Sequence, residues 1–373
     1  MSASDSDSVE LTEEEIAKRR VPCIMTYMSP FRIVERDRSG VWNPTIKQIN
    51  EGDWDYVALH EMVGGIDVGL ESPYHLIITR DGSLALPPLK EFMTDQYAAE
   101  YFNKCLAGLL IGGIYCECVN TDSIERGVII DWTYVRSVTA GLAASNRFHK
   151  QIRYCNCGPL EAINLLHPKL VFINELNDAM QIGMDVLNRI PRMRADYLLR
   201  GVTGIGRRDW GSALANLWIV VEQLIASLWE EYVISPTIDV DNSKSRRDQL
   251  SDTRTWTAAA RIEMLYQKSV IDLQTLRHLS IARKSRNNLH HEGIHPSIED
   301  AYGSYRAVCD LMRIVLEGRE VPLFDLKIED HSLSDPFAPP KRIDVEPRFW
   351  MEIPKLPGEQ ELEKAEAKLM RKA

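Results

Sequence analysis

Short apolar runs in the first part of the chain predict β-strands. β-branched and aromatic residues bounded by Gly, Asp or Asn form the runs YHLIIT, GIYCECV and GVIIDWTYV. The letters RDG after the first run predict a turn. TDQYAAEYFNKCLAGLL has apolar residues at helical spacing, with Thr94 or Asp95 as the cap, and predicts a helix among the strands. Residues 21–160 are therefore predicted to form an α+β domain.

After Pro168 the pattern predicts helices and no further strands. KLVFINELNDAMQIGMDVLNRI predicts a helix that Pro191 ends, and DWGSALANLWIVVEQLIASLWEEYV predicts a longer one. The apolar stripe of the longer helix comprises Leu214, Leu217, Trp218, Val221, Leu224, Ile225 and Leu228. A polar loop is expected over residues 234–254, followed by helices at about 255–267, 271–290 and 298–316. Because the last connections are short, these helices predict an antiparallel four-helix bundle.

The predicted fold class is an α+β amino-terminal domain followed by an all-α bundle. The predicted segments are a mobile acidic tail (1–20), the α+β domain (21–160), a helical connector (161–200), the bundle (201–320), and a Pro-rich arm with a terminal helix (321–373). The start of the chain is acidic where a signal peptide is basic, and no apolar run was expected to reach transmembrane length. Together with seven cysteines, read as reduced thiols, this predicts a cytoplasmic protein that does not contact a membrane.

The net charge of −10 argues against a surface that coats nucleic acid non-specifically. Two stretches are nevertheless basic. Arg189 to Asp209 contains six arginines and two aspartates, and Arg277 to His295 contains four Lys or Arg, one Glu and four histidines. Such local patches fit a confined anionic substrate. Solvated helix faces are the alternative explanation of the same charges.

The cysteine pairs at 116–118 and 155–157, with Cys105 and His149, contain enough ligands for a zinc site. One residue separates the cysteines of each pair, where structural zinc sites place two to four. Small buried hydrophobes are therefore the preferred explanation. The glycine-rich stretches MVGGIDVG and GVTGIG lack the spacing of a nucleotide-binding loop. Neither a metal nor a cofactor is expected.

The segment ARKSRNNLHHEG places many donors at the end of an apolar helix. At 100° per residue, one face carries Leu276, Leu279, Ala282 and Leu289, and the overlapping sector carries Arg283, Arg286, Asn287, His290 and His291. Because unpaired buried charge is strongly disfavoured, this pattern predicts a crevice in which an arginine meets an anion and a histidine moves a proton. The alternative is an arginine extending past the bundle edge and histidines that cap a helix ended by Gly293.

RNNLHH resembles the motif of HEPN domains (the higher eukaryote and prokaryote nucleotide-binding family), in which four to six residues stand between the Arg and the His. Arg286, the polar Asn287 and His291 fit that pattern, and the order of helices over residues 200–320 is similar as well. The resemblance implies a metal-independent endoribonuclease that works as a homodimer and leaves 2′,3′-cyclic phosphate and 5′-OH ends. It suggests antiviral defence or a toxin-like effector, with a protein or ligand trigger at the amino-terminal domain. The alternative is a non-catalytic HEPN module that dimerises or binds nucleotide or a partner.

The resemblance also assigns roles to residues. His291 would take the proton of a ribose 2′-OH, Arg286 would hold the phosphate, and Asn287 would orient the arginine or the substrate. Supporting candidates are His290, Arg283 and Glu222. On an ideal helix His291 points about 140° away from Arg286, so the helix is predicted to end or distort near residue 289.

Overall fold

The computed structural model describes residues 20–328 except 41, 72–73, 155–157, 159–163, 167 and 238–242, together with positions 358, 362, 364, 367 and 368. The chain forms two compact units, residues 1–331 and 332–373. The predicted acidic tail, the Cys155–Cys157 pair and most of the Pro-rich arm lie outside the described residues. In the second unit, the described positions 362, 364, 367 and 368 are helical, as the predicted terminal helix requires.

The amino-terminal half contains the strands of the protein. They are β1 Arg20–Tyr27, β2 Arg32–Glu35, β3 Met62–Ile66, β4 Leu76–Thr79, β5 Ser83–Leu86, β6 Glu125–Ile130, β7 Tyr134–Ser137 and β8 Lys169–Phe172. Six of them form an antiparallel sheet in the order β3-β4-β5-β1-β6-β7. Glu61 bridges Tyr134, and the Met62 N–H donates to the Thr133 carbonyl at 2.7 Å. The sheet therefore curls into a half-barrel, and its edge strands β3 and β7 approach each other at this bridge.

Turn chemistry explains two of the hairpins of the sheet. Gly82 has a φ of 76° and closes the β4–β5 hairpin, which confirms the strand YHLIIT and the RDG turn. GVIIDWTYV contains parts of two strands, β6 and β7. Asp131 and Trp132 between them have φ values of 51° and 53°, the backbone of a tight hairpin turn.

GIYCECV was wrongly predicted to be a strand. It is extended, but side chains take its backbone groups: the Cys118 N–H donates to Thr203 Oγ1 at 2.8 Å, and the Val119 N–H donates to Asn103 Oδ1 at 2.8 Å. Because these polar groups are satisfied from helices, the segment needs no partner strand. An alternating pattern of apolar residues does not distinguish a strand in a sheet from an extended segment that is bonded by side chains.

The prediction of helices only after Pro168 is also wrong for four residues. Lys169–Phe172 forms β8, which pairs in parallel with β2. The apolar run KLVF fits either a strand or the start of a helix, and the partner strand decides in favour of the strand. The predicted helix follows directly, from Ile173 to Arg189.

The helices of the described residues are numbered along the chain. They are α1 Ile46–Glu51, α2 Asp95–Ile111, α3 Ala144–Arg153, α4 Ile173–Arg189, α5 Ala195–Gly206, α6 Trp210–Trp229, α7 Ser243–Ser251, α8 Ala258–Gln267, α9 Leu273–Asn287 and α10 Ile298–Val315. Thr94 caps α2 by accepting from the Tyr97 N–H at 3.2 Å, as predicted. The loop predicted over residues 234–254 contains α7. This helix has no apolar periodicity and is held where the Trp229 indole donates to the Leu250 carbonyl at 2.9 Å.

Helix α6 lies at the centre of the helical part, and all seven residues of its predicted stripe are buried. Helices α5, α8, α9 and α10 pack against it. Where α5 contacts α6, a Cβ built on Gly204 would lie 2.7 Å from the Ala213 backbone nitrogen. The glycines of GVTGIG therefore permit close helix packing. The predicted fold class is confirmed at the level of an α+β protein with strands first and helices after.

By length and composition, one helical stretch of the described residues could cross a membrane. It is Trp210–Ile234, with a mean hydropathy of 1.4, and half of its apolar window is buried inside the protein. This differs from the expectation of no such run. The helix packs against four neighbouring helices, so its apolar composition fits a core helix.

One hydrophobic core crosses the predicted domain boundaries. It contains Ile24 and Leu84 of the sheet, Phe102 of α2, Leu217 of α6 and Leu311 of α10. Strands and helices thus share their apolar interior. The boundaries near residues 160 and 200 stay predictions.

A buried polar network joins α3 to the β4–β5 hairpin. The carboxylate of Asp81 accepts from Arg153 Nε at 2.6 Å and Nη2 at 2.7 Å, and lies 2.9 Å from His149 Nδ1. Arg153 Nη2 also donates to Ser83 Oγ at 3.0 Å. Asp81 is fully buried, and Arg153 and His149 are 1% exposed. A buried charge of this kind is tolerated only because it is paired and hydrogen-bonded.

Acidification from pH 7 to 5 should lower the free energy of unfolding. Burial, followed by the charge of Arg153, lowers the pKa of His60 to about 4. In this window the unfolded histidine, with a pKa near 6.5, takes up a proton and the folded one does not, so stability is lost as pH falls. The slope is at most about 1.4 kcal/mol per pH unit for one such histidine. Urea titrations at several pH values measure it. His60→Gln should reduce the slope, and an unchanged slope in that variant would contradict this origin.

Candidate functional site

The predicted distortion of the motif helix is confirmed. Helix α9 ends at Asn287, and Asn288–Glu292 continues it as a π-helical turn, here called the π turn. Gly293 then stops the helix with a φ of 68°, and its N–H donates to the Asn288 carbonyl. A π turn bonds residue i to i+5 where an α-helix bonds i to i+4. Because this bonding begins at Asn288, His290 and His291 do not keep the 100° spacing of an ideal helix relative to Arg286.

Arg286 lies on the buried face of α9 with part of its side chain exposed. Leu279 and Ala282, on the same face, are fully buried. Arg286 Nη1 donates to Asn287 Oδ1 at 3.2 Å, and Nε is buried without a hydrogen-bond partner. Within the described part of the chain, no carboxylate forms an ion pair with this guanidinium. Arg286 thus retains donors for an oxyanion.

The other motif residues are open to solvent. Arg283, His290 and His291 are exposed, and none of their side chains bonds another of the described residues. Asn287 is half-buried and held by Arg286. The preference for His291 over His290 stays a prediction, because both rings are accessible.

Glu222 does not join the motif in this structure. Its carboxylate accepts from the Trp218 indole Nε1 at 2.8 Å, one turn earlier on α6, and the side chain is exposed. The sequence offered Glu222 as a support for the arginine or histidine. Its bond to Trp218 instead fits a solvated residue at a helix edge.

A serine–aspartate connection next to the motif was not recognised from the sequence. Ser285 Oγ donates to Asp300 Oδ1, and Asp300 Oδ2 accepts from the Ser297 N–H at 2.8 Å. Burial raises the pKa of Asp300, but the hydrogen bonds from Ser285 and Ser297 outweigh it and hold this pKa below its usual value. The link ties α9 to the start of α10 and so fixes the helix end that carries the motif. The spacing of Ser297 and Asp300 resembles a capping box and was the available signal.

The two predicted basic patches differ in how their charges are used. In the stretch 189–209, the arginines that form ion pairs with acidic residues are Arg189, Arg192, Arg194 and Arg207. Arg207, for example, lies 2.7 Å from the buried carboxylate of Glu117. In the second stretch, Arg283 and Arg286 have no ion pair with any described carboxylate. These two arginines therefore leave positive charge at the motif that an anion can meet.

No group of three or more His, Cys, Asp or Glu that could hold a metal is found among the described residues. Burial raises the thiol pKa of Cys105 and of Cys116 to about 12, which opposes the thiolate form that binds zinc. His149 already faces Asp81. Cys155 and Cys157 lie outside the described residues, so the zinc alternative for that pair stays a hypothesis.

The motif therefore combines an arginine with unused donors, an adjacent amide and two accessible imidazoles. These groups can bind a phosphate and move a proton. They occur at the distorted end of a helix whose position is fixed by the Ser285–Asp300 link. Searches of protein-family models, curated proteins and solved structures found nothing that matches this chain.

Proposed function

We propose that the protein is a metal-independent endoribonuclease of HEPN type. The observation that carries this proposal is Arg286, half-buried and without an ion pair among described carboxylates, five residues before an exposed imidazole at a distorted helix end. A guanidinium that is partly desolvated binds a phosphodiester more strongly than one fully in water. In RNA, each phosphodiester lies next to a ribose 2′-OH, a nucleophile that an imidazole can deprotonate.

In the proposed reaction, neutral His291 removes the 2′-OH proton, and the 2′-oxygen attacks the adjacent phosphorus. The bond from phosphorus to the 5′-oxygen breaks, and that oxygen leaves as an alcohol after taking up a proton from water. Arg286 stabilises the charge that builds on the non-bridging oxygens. The products are a 2′,3′-cyclic phosphate and a 5′-OH. No electrons are exchanged, and no metal takes part in the scheme.

The proposal includes a finer architecture and a cellular role. Helices α6, α8, α9 and α10 would form the antiparallel four-helix unit of a HEPN domain, with α6 as its long amphipathic helix. Their order along the chain and the packing of α8, α9 and α10 on α6 support this assignment. The sheet-containing half would serve as a cytoplasmic sensor for a protein or ligand trigger in antiviral defence.

A non-catalytic HEPN module is the second candidate function. Neither the His290 nor the His291 side chain bonds another described residue, so no group among the described residues orients an imidazole. A module that only dimerises, or binds nucleotide or a partner, requires no such orientation. The ribonuclease proposal instead requires the orientation to come from substrate or from a second copy.

The protein should be a homodimer with two motifs in one cleft. The motivation is the open motif face, where Arg283, His290 and His291 are exposed beside the buried Leu279. Multi-angle light scattering from about 1 to 100 μM gives the mass directly and detects a dimer of micromolar or tighter Kd. A monomer at all concentrations would rule out the composite cleft.

Purified protein should cut single-stranded RNA and leave DNA of the same sequence intact. The 2′-OH is the nucleophile, so DNA lacks the reacting group. Addition of EDTA should leave the rate unchanged, because the scheme uses only the imidazole and the guanidinium. Gel analysis of end-labelled oligonucleotides measures both. Loss of cleavage on chelation, or equal cutting of DNA, would contradict the mechanism.

A further inference from the structure

A groove of about 1040 Å³ lies between α7 and the turn that leads to α8, and is here called the α7 groove. Helix α7 lines it with Lys244, Arg246 and Leu250, and the turn contributes Trp256. The two cations are exposed, and Leu250 and Trp256 are half-buried. The groove therefore combines long cationic side chains with apolar surface that solvent can reach.

Trp256 is a supported aromatic wall of this groove. Its ring packs on the ring of Trp229 at the end of α6, with 5.0 Å between the centroids. The Trp229 indole donates to the Leu250 carbonyl at 2.9 Å, so the same residue also holds α7 against the two rings. Because Trp256 is packed on Trp229 and still half-exposed, it offers an aromatic surface to a planar partner.

The charges of the groove favour an anionic partner. Within the described part of the chain, neither Lys244 nor Arg246 forms an ion pair with a carboxylate. Of the acidic residues that line the groove, Asp252 accepts from Thr255 Oγ1 at 2.6 Å and from two backbone N–H groups of its own turn. Its charge is therefore satisfied locally, and Asp248 alone opposes the two cations. The charge that the groove presents is positive.

The α7 groove lies at the same end of the helical part as the motif. Residues 268–272 connect α8 to α9, and both helices pack on α6, so the two run antiparallel. The 10 residues of α8 span about 15 Å, which brings its start level with about Ala282 of α9. Arg286 is one turn beyond that level, and Trp256 precedes the start of α8 by two residues. Arg286 and Trp256 therefore lie at a similar height along the bundle.

Arg286 also lies on the side of α9 that is turned toward α8. His278 and Ser285 bond Asp310 and Asp300 of α10, and so mark the side of α9 that packs on α10. At 100° per residue, Arg286 is turned across the buried face by about 80° from His278 and by about 100° from Ser285. Helix α8, which packs on α9 as well, takes the side that α10 leaves. About 8–10 Å then separates the axes of the helices that lead to Arg286 and to the groove.

We propose that the α7 groove binds single-stranded RNA and holds it for cleavage at Arg286, with a base stacked on Trp256 and phosphates at Lys244 and Arg246. The inference rests on the proposed ribonuclease function and names the surface that holds its substrate. Stacking on an aromatic ring accepts every base, and cations neutralise phosphates without regard to sequence. The groove therefore supplies affinity without a base preference.

The test measures binding of a short, fluorescently labelled 2′-O-methyl RNA, which lacks the free 2′-OH and is not cut. Fluorescence anisotropy gives the Kd at several salt concentrations. Trp256→Leu keeps an apolar side chain against Trp229 but removes the stacking ring, and should weaken binding by about tenfold. Lys244→Glu/Arg246→Glu changes exposed residues only, and should reduce the slope of log Kd against log salt by about 1.4, the value for two lost contacts to a single strand.

Lys268→Glu/Arg277→Glu is the matched control. It changes the net charge by the same amount, at exposed positions near the opposite ends of α8 and α9. Exposed charges farther than about 10 Å from the RNA are largely screened at 0.1 M salt, so the control should keep the wild-type Kd and slope. Equal losses in this control and in Lys244→Glu/Arg246→Glu would attribute binding to net charge and overturn the groove.

Unmodified RNA, tested for cleavage in parallel, separates this inference from the ribonuclease function. If wild type cuts nothing but binds the 2′-O-methyl RNA and the groove variants lose affinity, the RNA-binding groove stands and the ribonuclease falls. If wild type cuts RNA and the groove variants keep its Kd and slope, the groove is overturned and the ribonuclease stands. No binding by wild type would also overturn the groove. A lower oligomeric mass in the groove variants would assign this surface to a second copy, with the same result.

Discussion

Replacing His291 by alanine should slow RNA cleavage by about 10²- to 10⁴-fold, the usual cost of removing a general base. Replacing Arg286 by alanine should cost about 10²- to 10³-fold, since it removes a preorganised stabiliser of the developing charge. His290→Ala should cost clearly less. These rates are measured under single-turnover conditions, so that substrate binding and product release do not mask the chemical step.

Arg277→Ala is the matched control for Arg286→Ala. Arg277 is exposed on the same helix, α9, two and a half turns earlier, and should be dispensable for cleavage. If His290→Ala is inactive and His291→Ala cleaves normally, the histidine assignment is wrong, but the proposal of a ribonuclease stands. If the variants of Arg286, His290 and His291 all cut like wild type, the chain is an interaction module instead.

Replacing Arg153 by methionine should destabilise the protein by about 3–5 kcal/mol, because it leaves the buried carboxylate of Asp81 without its cation. The Arg153 and His149 charges and bonds hold the pKa of Asp81 far below its usual value, despite the opposing effect of burial. The stabilisation is therefore present at neutral pH and is lost as pH falls below the ordinary carboxyl pKa of about 4. Urea unfolding followed by circular dichroism at pH 7 measures the loss.

Two variants make this prediction specific. Arg147→Met removes an exposed arginine from the same helix, α3, and should change stability by no more than about 0.5 kcal/mol. The double variant Asp81→Asn/Arg153→Met should be more stable than Arg153→Met alone, since it removes the uncompensated charge. A small effect of Arg153→Met, or no recovery in the double variant, would show that the network does not hold α3 to the hairpin.

The helices could be predicted where apolar periodicity was strong. The stripe from Leu214 to Leu228 identified α6, and its burial follows from the sequence alone. Lys169–Phe172 and the CEC segment could not be assigned, since their conformation depends on partners distant in sequence, β2 in one case and Thr203 and Asn103 in the other. Local propensity does not contain that information.

The candidate site was predictable in part. The spacing of Arg286, His291 and Gly293 required a distorted helix end, and the π turn provides one. The Ser285–Asp300 link was missed because it joins two helices through side chains that look like ordinary surface residues in the sequence. The buried Asp81–Arg153 pair was also missed, because 72 residues separate its members and no local pattern connects them.

The central claim, cleavage by attack of the 2′-OH, is tested most directly by the mass of the product ends. RNA is incubated with wild-type protein in EDTA, and the fragments are analysed by mass spectrometry. The double variant Arg286→Ala/His291→Ala, purified in parallel, excludes a contaminating nuclease. The proposal predicts fragments that end in a 2′,3′-cyclic phosphate with 5′-OH partners, and none with the double variant. Fragments with 5′-phosphate ends, or equal cleavage by the double variant, would contradict it.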